Sequence, residues 1–211
     1  MTVLERILEG KIIAILRGLD LENTIKTAEA IKNGGIRLIE IPFDQTKPLS
    51  YTMEKIRGIC DRFSGEGVLA GAGTVLTVEQ VHSAREVGAD YIITPTCSPE
   101  VIKETKALGM VAMPGAMTPT EIEQCYRAGA DIVKVFPSDN LGISYLKAVR
   151  PLSYIPLSAV GGVSLDNMKD FFAAGVCCVG IGGNIADKRL IEAGDFEGIR
   201  SLAAAYAAKV Q

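Results

Sequence analysis

The chain has 211 residues, of which 48% are hydrophobic and 22% are charged, and this composition fits one globular domain over residues 1–211. Its formal net charge of −3 gives no reason to expect nucleic acid or a membrane surface as a partner. Glu5, Arg6 and Glu9 interrupt the first apolar stretch, so we expect no signal peptide, and no window is apolar enough to predict a membrane span.

Eight short β-rich runs recur along the chain at regular distances. Their apolar residues are continuous rather than alternating, which is typical of parallel strands covered on both faces. The runs are KIIAIL (11–16), RLIEI (37–41), GVLAGA (67–72), DYIIT (90–94), MVAMP (110–114), DIVKVF (131–136), YIPLSAV (154–160) and VCCVGI (176–181).

Segments with helical periodicity separate these runs. Four of them begin with Ser or Thr as a predicted N-cap, carry an acidic residue in the first turn and end on a glycine before the next strand. These four are TVEQVHSAREVGAD, SPEVIKETKALGM, TPTEIEQCYRAGAD and SLDNMKDFFAAGV. Further helices are predicted at LENTIKTAEAIKNGG, at VLERILEG before the first strand and at DFEGIRSLAAAYAAKV after the last.

Eight alternating units of similar size predict an α/β fold, a single (β/α)8 TIM barrel with an extra N-terminal helix. An open doubly wound sheet is the alternative. No G-x-G-x-x-G motif follows the first strand, which argues against that alternative.

Two ionisable residues lie inside predicted strands. Lys134 stands in DIVKVF and Glu40 in LIEIPF. Burial lowers the pKa of a lysine, and a neutral amine can form a Schiff base with a ketone; the alternative is a lysine whose stem packs while its head reaches solvent or a carboxylate. A carboxylate in a strand is costly unless it is paired or functional. We therefore expect Glu40 to pair with Lys134 or Arg17, to shuttle protons, or both.

Other candidate binding residues follow the strands, at the barrel end where chemistry lies in this fold. Arg17 comes after the first strand, and its guanidinium suits bidentate capture of a carboxylate; an ordinary exposed loop arginine is the alternative. The pairs Gly161–Gly162 and Gly182–Gly183 follow the last two strands. Backbone N–H groups in such turns bind phosphate, although a glycine pair is also common in a plain tight turn.

Cysteine and histidine usage argues against metal chemistry. The five cysteines fit no zinc spacing, so we expect free thiols in a cytoplasmic protein. His82 is the single histidine and lies in a predicted helix, so we expect neither a histidine-based triad nor a multi-histidine metal site.

Seven motifs, in order along most of the chain, give a family resemblance. The sequence resembles the Entner–Doudoroff aldolases that act on 2-keto-3-deoxy-6-phosphogluconate (KDPG) and on its galactonate counterpart. GAGTVL and K-x-F-P-S are the specific parts of the match. The motifs are AILRG (14–18), IEIPF (39–43), GAGTVLT (71–77), ITPTCSPEVI (93–102), MPGAMTPTE (113–121), VKVFPSD (133–139) and AVGGVS (159–164).

The resemblance implies a class I aldolase, a homotrimeric carbon–carbon lyase that needs no metal or cofactor. Such an enzyme cleaves a phosphorylated 2-keto-3-deoxy sugar acid to pyruvate and glyceraldehyde 3-phosphate. By motif match, Lys134 would be the Schiff-base lysine, Glu40 the proton carrier and Thr74 a contact of the substrate carboxylate. The turns at Gly161–Gly162 and Gly182–Gly183 would hold the phosphate.

Two positions depart from the KDPG pattern. That branch has an arginine four residues after the glutamate, where this chain has Asp44, so Arg17 is expected to bind the carboxylate instead. Asn184 stands where KDPG aldolases commonly have serine, and its amide can still donate a hydrogen bond. Pro95 and Phe136 are expected either to wall the pocket and keep it dry or to serve packing alone.

Three other functions stay open on the residues. An aldolase for unphosphorylated 4-hydroxy-2-oxoglutarate would share the imine chemistry. A phosphosugar epimerase or isomerase on the same barrel would use acid–base residues without an imine. A non-enzymatic sensor of phosphate ligands would have no need of a lysine and a glutamate inside strands. The choice between gluconate and galactonate substrates depends on contacts at one hydroxyl and is not determined by the sequence.

Overall fold

The computed structural model describes residues 1–210, the side chain of Arg150 excepted. The strands are β1 (Ile12–Ile15), β2 (Leu38–Pro42), β3 (Leu69–Gly73), β4 (Tyr91–Ile93), β5 (Val111–Met113), β6 (Gly115–Ala116), β7 (Val133–Val135), β8 (Leu157–Val160) and β9 (Cys178–Ile181). The helices are α1 (Val3–Gly10), α2 (Leu21–Asn33), α3 (Leu49–Arg62), α4 (Val78–Glu86), α5 (Pro99–Ala107), α6 (Pro119–Arg127), α7 (Ser138–Ala148), α8 (Met168–Ala173), α9 (Lys188–Glu192) and α10 (Phe196–Ala207), with a 3-10 turn at Arg150–Leu152.

The strands form one parallel sheet that closes into a barrel. Their order is β5-β4-β3-β2-β1-β9-β8-β7-β6, and β5 and β6 are two halves of one strand interrupted at Pro114. The Pro114 carbonyl accepts from the backbone N–H of Lys134 at 2.8 Å, and the Ala112 carbonyl accepts from that of Asp131 at 3.0 Å, which joins the two edges. The predicted (β/α)8 barrel with an extra N-terminal helix is confirmed.

Apolar side chains fill two separate layers. One layer lies inside the barrel, where Ile13, Leu38, Leu69 and Tyr91 are buried and Ile7 of α1 packs against them. The larger layer lies between the barrel and its helices. Since strand side chains alternate between faces, both layers require the continuous apolar runs seen in the sequence.

The predicted helix starts are correct at three of four positions. Thr77, Ser98 and Thr118 each accept a hydrogen bond from the backbone N–H three residues later, as expected of N-caps. The prediction for Ser164 is wrong, because α8 begins only after Asn167. The Asn167 side chain accepts from the Ser164 N–H at 2.8 Å, so these residues form a turn instead of the first helical turn.

Three helices, α3, α7 and α9, were not identified from the sequence. Helices α3 and α7 begin after Pro48 and Pro137 without a side-chain cap, and Gly142 breaks the helical backbone within α7 with φ 75°. Helix α9 has five residues, too few for a periodic pattern. Among the described helices, none combines the length and apolarity that a bilayer crossing demands.

Candidate active site

Lys134 lies in the middle of β7 and is buried, with 6% of its surface exposed. Its neighbours Val133 and Val135 belong to the layer between the barrel and its helices, so by strand alternation the Lys134 side chain faces the barrel interior. The Nζ atom is 4.7 Å from the centroid of the Phe136 ring. Burial lowers the pKa of Lys134; the Glu40 charge opposes this shift and the Arg17 charge adds to it. Burial and the Arg17 charge thus favour the neutral, nucleophilic amine, while the Glu40 carboxylate and the face of the Phe136 ring favour the ammonium ion.

Glu40 occupies the interior of β2 and is 1% exposed. Within the described residues its Oε2 atom has no hydrogen-bond partner. Burial raises the pKa of this carboxyl, against the charges of Lys134 and Arg17, which lower it. A buried, unpartnered oxygen whose proton affinity is raised suits proton exchange with a ligand better than a fixed structural ion pair.

Gly73 on β3 makes room for that carboxyl group. A Cβ atom added to Gly73 would lie 2.6 Å from Cδ and 2.8 Å from Cγ of Glu40. Residue 73 pairs with Pro42 on β2, two residues beyond Glu40, so the glutamate side chain leans along the strand onto the glycine. Any side chain at position 73 would collide with Glu40, which explains sterically why the GAGT motif has its second glycine there.

A cavity of about 460 Å³ opens at the ends of β1, β8 and β9. It brings together most of the predicted binding residues with apolar strand ends and one additional lysine. Its lining is Ile15, Arg17, Phe136, Val160, Gly161, Gly162, Val163, Gly180, Ile181, Gly182, Gly183, Asn184, Ala186 and Lys188. Lys134 adjoins the cavity through Phe136, which is 36% exposed.

The two glycine turns of this cavity are tied together by Asn184. Its Nδ2 donates to the Val163 carbonyl at 2.8 Å, so the turn after β9 is held against the turn after β8. Gly161 and Gly162 have φ of 106° and 68°, in the left-handed region that favours glycine. This conformation explains why glycines occupy the turn after β8; phosphate binding by the turn stays a prediction.

Thr74 and Pro95 lie outside the lining of the cavity. Thr74 directly follows β3 and is half-buried, with φ 51°. The Pro95 carbonyl oxygen packs against Gly115, since a Cβ atom on that glycine would lie 2.5 Å from it. Because Gly115 pairs with Lys134, Pro95 lies one strand away from the lysine.

Asp44, at the position that departs from the KDPG pattern, is turned into its own loop. Its Oδ1 accepts from the Thr46 backbone N–H at 2.9 Å and from the Thr46 hydroxyl at 2.7 Å. These hydrogen bonds lower the pKa of the Asp44 carboxyl. Arg17 lines the cavity, so it stays the candidate for the carboxylate-binding role that Asp44 cannot fill.

Lys188 is a cavity residue that the sequence reasoning missed. It is the first residue of α9 and lines the cavity together with both glycine turns. Its Nζ is 3.5 Å from Glu192 Oε1, on a pair of exposed side chains. The signal would have been a lysine four residues beyond Asn184, but it becomes meaningful only once α9 is known to fold back over the turn.

The remaining predicted features are away from the cavity. His82 is exposed on α4, with Nε2 3.0 Å from Glu104 Oε1. All five cysteines are free; Cys125 and Cys178 are buried and the other three are half-buried. The described residues hold no cluster of three His, Cys, Asp or Glu side chains that could bind a metal ion.

Comparison with known proteins places this geometry in context. The family model for KDPG and KHG aldolase matches residues 3–202. The chain is 37% identical to a probable 2-dehydro-3-deoxy-6-phosphogalactonate aldolase of Rhizobium meliloti, over 84% of this chain and 82% of the relative. It is 35% identical to the 2-dehydro-3-deoxy-6-phosphogalactonate aldolase of Escherichia coli, over 82% and 83%. A solved native KDPGal structure superposes with a TM-score of 0.82 and 33% identity, over 94% of each chain.

Proposed function

The chain belongs to the KDPG and KHG aldolase family, and we propose that Lys134 and Glu40 carry out the carbon–carbon lyase reaction of this class I aldolase. The reaction cleaves a 2-keto-3-deoxy-6-phospho sugar acid to pyruvate and glyceraldehyde 3-phosphate. The observation that carries the assignment is a buried amine on β7 and a buried, unpartnered carboxyl on β2, both inside one barrel. Neither an epimerase nor a sensor would need that amine.

Imine formation begins with the neutral Lys134 amine. Its lone pair attacks the C2 carbonyl carbon of the substrate, and the carbonyl oxygen takes up a proton to give a carbinolamine. Glu40 then donates a proton to the departing hydroxyl group, water leaves, and a protonated Schiff base remains. Burial lowers the pKa of Lys134 and raises that of Glu40, and both shifts favour the protonation states that these two steps use.

Carbon–carbon cleavage follows from the iminium ion, which accepts electrons. Glu40, now a carboxylate, takes the proton from the C4 hydroxyl, the C3–C4 bond breaks, and its electron pair moves into the C2–C3 position to form an enamine. Glyceraldehyde 3-phosphate leaves as the aldehyde. Protonation of the enamine at C3 and attack of water on the iminium carbon then release pyruvate and restore the Lys134 amine.

Both ends of the substrate are held by residues away from the bond that breaks. Arg17 binds the carboxylate, with Thr74 as a further contact. The turns at Gly161–Gly162 and Gly182–Gly183, together with Asn184, bind the phosphate. Lys188 supplies the positive charge that the glycine turns lack. Fixing the substrate at two ends orients C2 toward the amine, which is where much of the rate gain of such enzymes arises.

Pro95 and Phe136 act as walls of the pocket. Phe136 lies against the Lys134 amine and has one face in the cavity, so it limits the access of water to the imine. Pro95 packs beside Gly115 on the strand next to Lys134. A dry pocket also keeps the amine neutral, because desolvation disfavours the ammonium ion.

The galactonate isomer is the substrate we favour. Two curated relatives above 30% identity are phosphogalactonate aldolases. In addition, Asp44 is held in its own loop by Thr46, which leaves Arg17 as the cation for the carboxylate. The homotrimer implied by the family resemblance and the cytoplasmic location expected from the free cysteines stay part of this proposal. Sedimentation of the purified protein tests the trimer.

Reductive trapping tests the mechanism directly. The protein is incubated with pyruvate, reduced with borohydride, digested and analysed by mass spectrometry. We expect an adduct on Lys134 in the parent protein and none in Lys134→Ala, which also loses turnover. An active preparation without the adduct would reject the Schiff-base mechanism. Pyruvate release from the two epimeric phosphorylated substrates then decides between galactonate and gluconate.

A further inference from the structure

Thr74, the residue after β3, has a strained backbone and lies next to the glycine that packs against the Glu40 carboxyl group. Thr74 has φ 51°, in the left-handed region that a β-branched residue rarely adopts. Such a backbone persists only where its surroundings fix it. The preceding residue is Gly73, whose backbone packs against the Glu40 carboxyl group. The direction of the chain at residues 73–74 therefore determines where that carboxyl group rests.

Two glutamine side chains hold this turn from both sides. The Gln45 Nε2 donates to the Thr74 carbonyl at 2.9 Å, and the Gln80 Oε1 accepts from the Leu76 backbone N–H at 2.7 Å. The two side chains are joined, since the Gln80 Nε2 donates to the Gln45 Oε1 at 2.9 Å. Three hydrogen bonds thus run from the carbonyl of Thr74 to the N–H of Leu76 and close a ring around the strained turn.

The ring is supported by helix α4 on one side and by the loop after β2 on the other. Gln80 is on α4 and is 5% exposed. Gln45 follows β2, the strand of Glu40, and its loop is shaped by the hydrogen bonds between Asp44 and Thr46. The same loop joins β3 where the Phe43 N–H donates to the Gly73 carbonyl at 2.8 Å. The glutamines therefore couple the loop after Glu40 to the turn after Gly73.

We propose that Gln45 and Gln80 are positioning residues that hold the Thr74 turn, and through it the Glu40 carboxyl group and the Thr74 side chain, in the geometry for catalysis. This proposal rests on the proposed function, because it assumes that Glu40 moves protons. Neither glutamine lines the cavity, so both act through the backbone of residues 73–76. Replacing either amide with a hydrocarbon leaves the hydrogen-bonding groups of its partner unmatched.

The test uses Gln45→Leu, Gln80→Leu and the double variant. For each, kcat and KM are measured across pH and normalised to the Lys134–pyruvate adduct trapped by borohydride. We expect kcat per trapped site to fall about tenfold or more in each single variant, since small misplacements of catalytic groups are costly. The double variant should be no worse than the poorer single one, because both remove the same ring. The pH midpoint assigned to Glu40 should shift in all three.

Controls separate positioning from stability and from the mechanism itself. Gln124→Leu replaces an exposed glutamine on α6 and should leave kcat and the pH profile unchanged. If Gln80→Leu does not fold, Gln80→Glu keeps an acceptor for the Leu76 N–H, and Gln45→Leu changes an exposed side chain. Parent-like kcat per trapped site with an unshifted pH profile would overturn the proposal. Absence of the adduct in the active parent protein would instead overturn the proposed function.

Discussion

A methyl group at Gly73 would displace the carboxyl group of Glu40, for which we propose the catalytic proton transfers. The added Cβ atom would lie 2.6 Å from Cδ of Glu40, so the carboxyl group must retreat by at least 0.8 Å to reach the 3.4 Å of ordinary contact. The backbone at Gly73 does not have a positive φ, so alanine meets only this side-chain obstacle. A misplacement near 1 Å costs about 10²-fold in rate, and overpacking of this kind costs about 1–3 kcal/mol of stability. We expect Gly73→Ala to lose kcat by roughly 30- to 100-fold.

Steady-state pyruvate release gives kcat, and urea unfolding gives the free energy of unfolding. Glu40→Asp shortens the side chain by one methylene and withdraws it from the new methyl group. Gly73→Ala should therefore cost less stability in the Glu40→Asp background than in the parent. As a control, Gly34→Ala meets Ala203 Cβ at 2.5 Å between α2 and α10, so it should destabilise without changing kcat per folded molecule. Parent-like kcat in Gly73→Ala, or equal stability costs in both backgrounds, would refute the reasoning.

The remaining predictions concern charge. Glu40→Gln removes the charge that opposes the burial effect on Lys134, so the pKa of Lys134 should fall further. The pH midpoint of borohydride trapping should therefore move down, while turnover drops severely. An upward move of that midpoint would contradict the pairing of Glu40 with Lys134. Arg17→Met should raise the pKa of both Glu40 and Lys134, since the arginine charge lowers both. It should also raise KM for pyruvate in a trapping assay, and an unchanged KM would show that Arg17 does not bind the carboxylate. Lys188→Met should lower kcat/KM for the phosphorylated substrate by about tenfold or more, which is the value of one charged hydrogen bond. It should leave turnover of unphosphorylated 4-hydroxy-2-oxoglutarate unchanged. Equal losses on both substrates would show that Lys188 does not bind phosphate.

The barrel, and the burial of Lys134 and Glu40 inside its strands, could be predicted from the sequence because two strong signals coincide. Continuous apolar runs predict strands covered on both faces. Each of the eight predicted runs overlaps an observed strand or, at residues 110–114, the first half of one, and only β2 and β3 extend past their runs, by one residue each. A charged residue inside such a run is buried, and it is costly unless it is paired or functional. In a closed parallel barrel the strand ends share one mouth, so Lys134 and Glu40 were expected to meet there despite lying 94 positions apart in the chain.

Contacts made by ordinary surface types could not be predicted in this way. Gln80 looks like any polar helix residue, and its partner Gln45 is 35 residues away in a loop. Lys188 belongs to a helix of five residues, whose placement over the glycine turns depends on tertiary packing. Ser164 matched the N-cap pattern, but the Asn167 side chain captured its N–H and delayed the helix. In each instance a tertiary contact or a competing local hydrogen bond decided the outcome.

Burial of the acid and the amine also sets how the stability of the fold depends on pH. Burial raises the pKa of Glu40, so over part of the pH range the native state keeps a proton that the unfolded chain has lost. The stability that this proton contributes is fully present below about pH 4.3, the pKa of an unfolded glutamate, and is lost as the pH rises through the pKa of Glu40 in the folded protein. Burial lowers the pKa of Lys134, so stability rises with pH from its folded value up to about 10.4. The cost of burying Glu40 is therefore greatest at high pH and that of burying Lys134 at low pH, and the two costs add together in the intermediate pH range. Because two apolar residues would relieve this cost, the presence of both groups inside the barrel is best explained by the proton and imine chemistry that we propose for them.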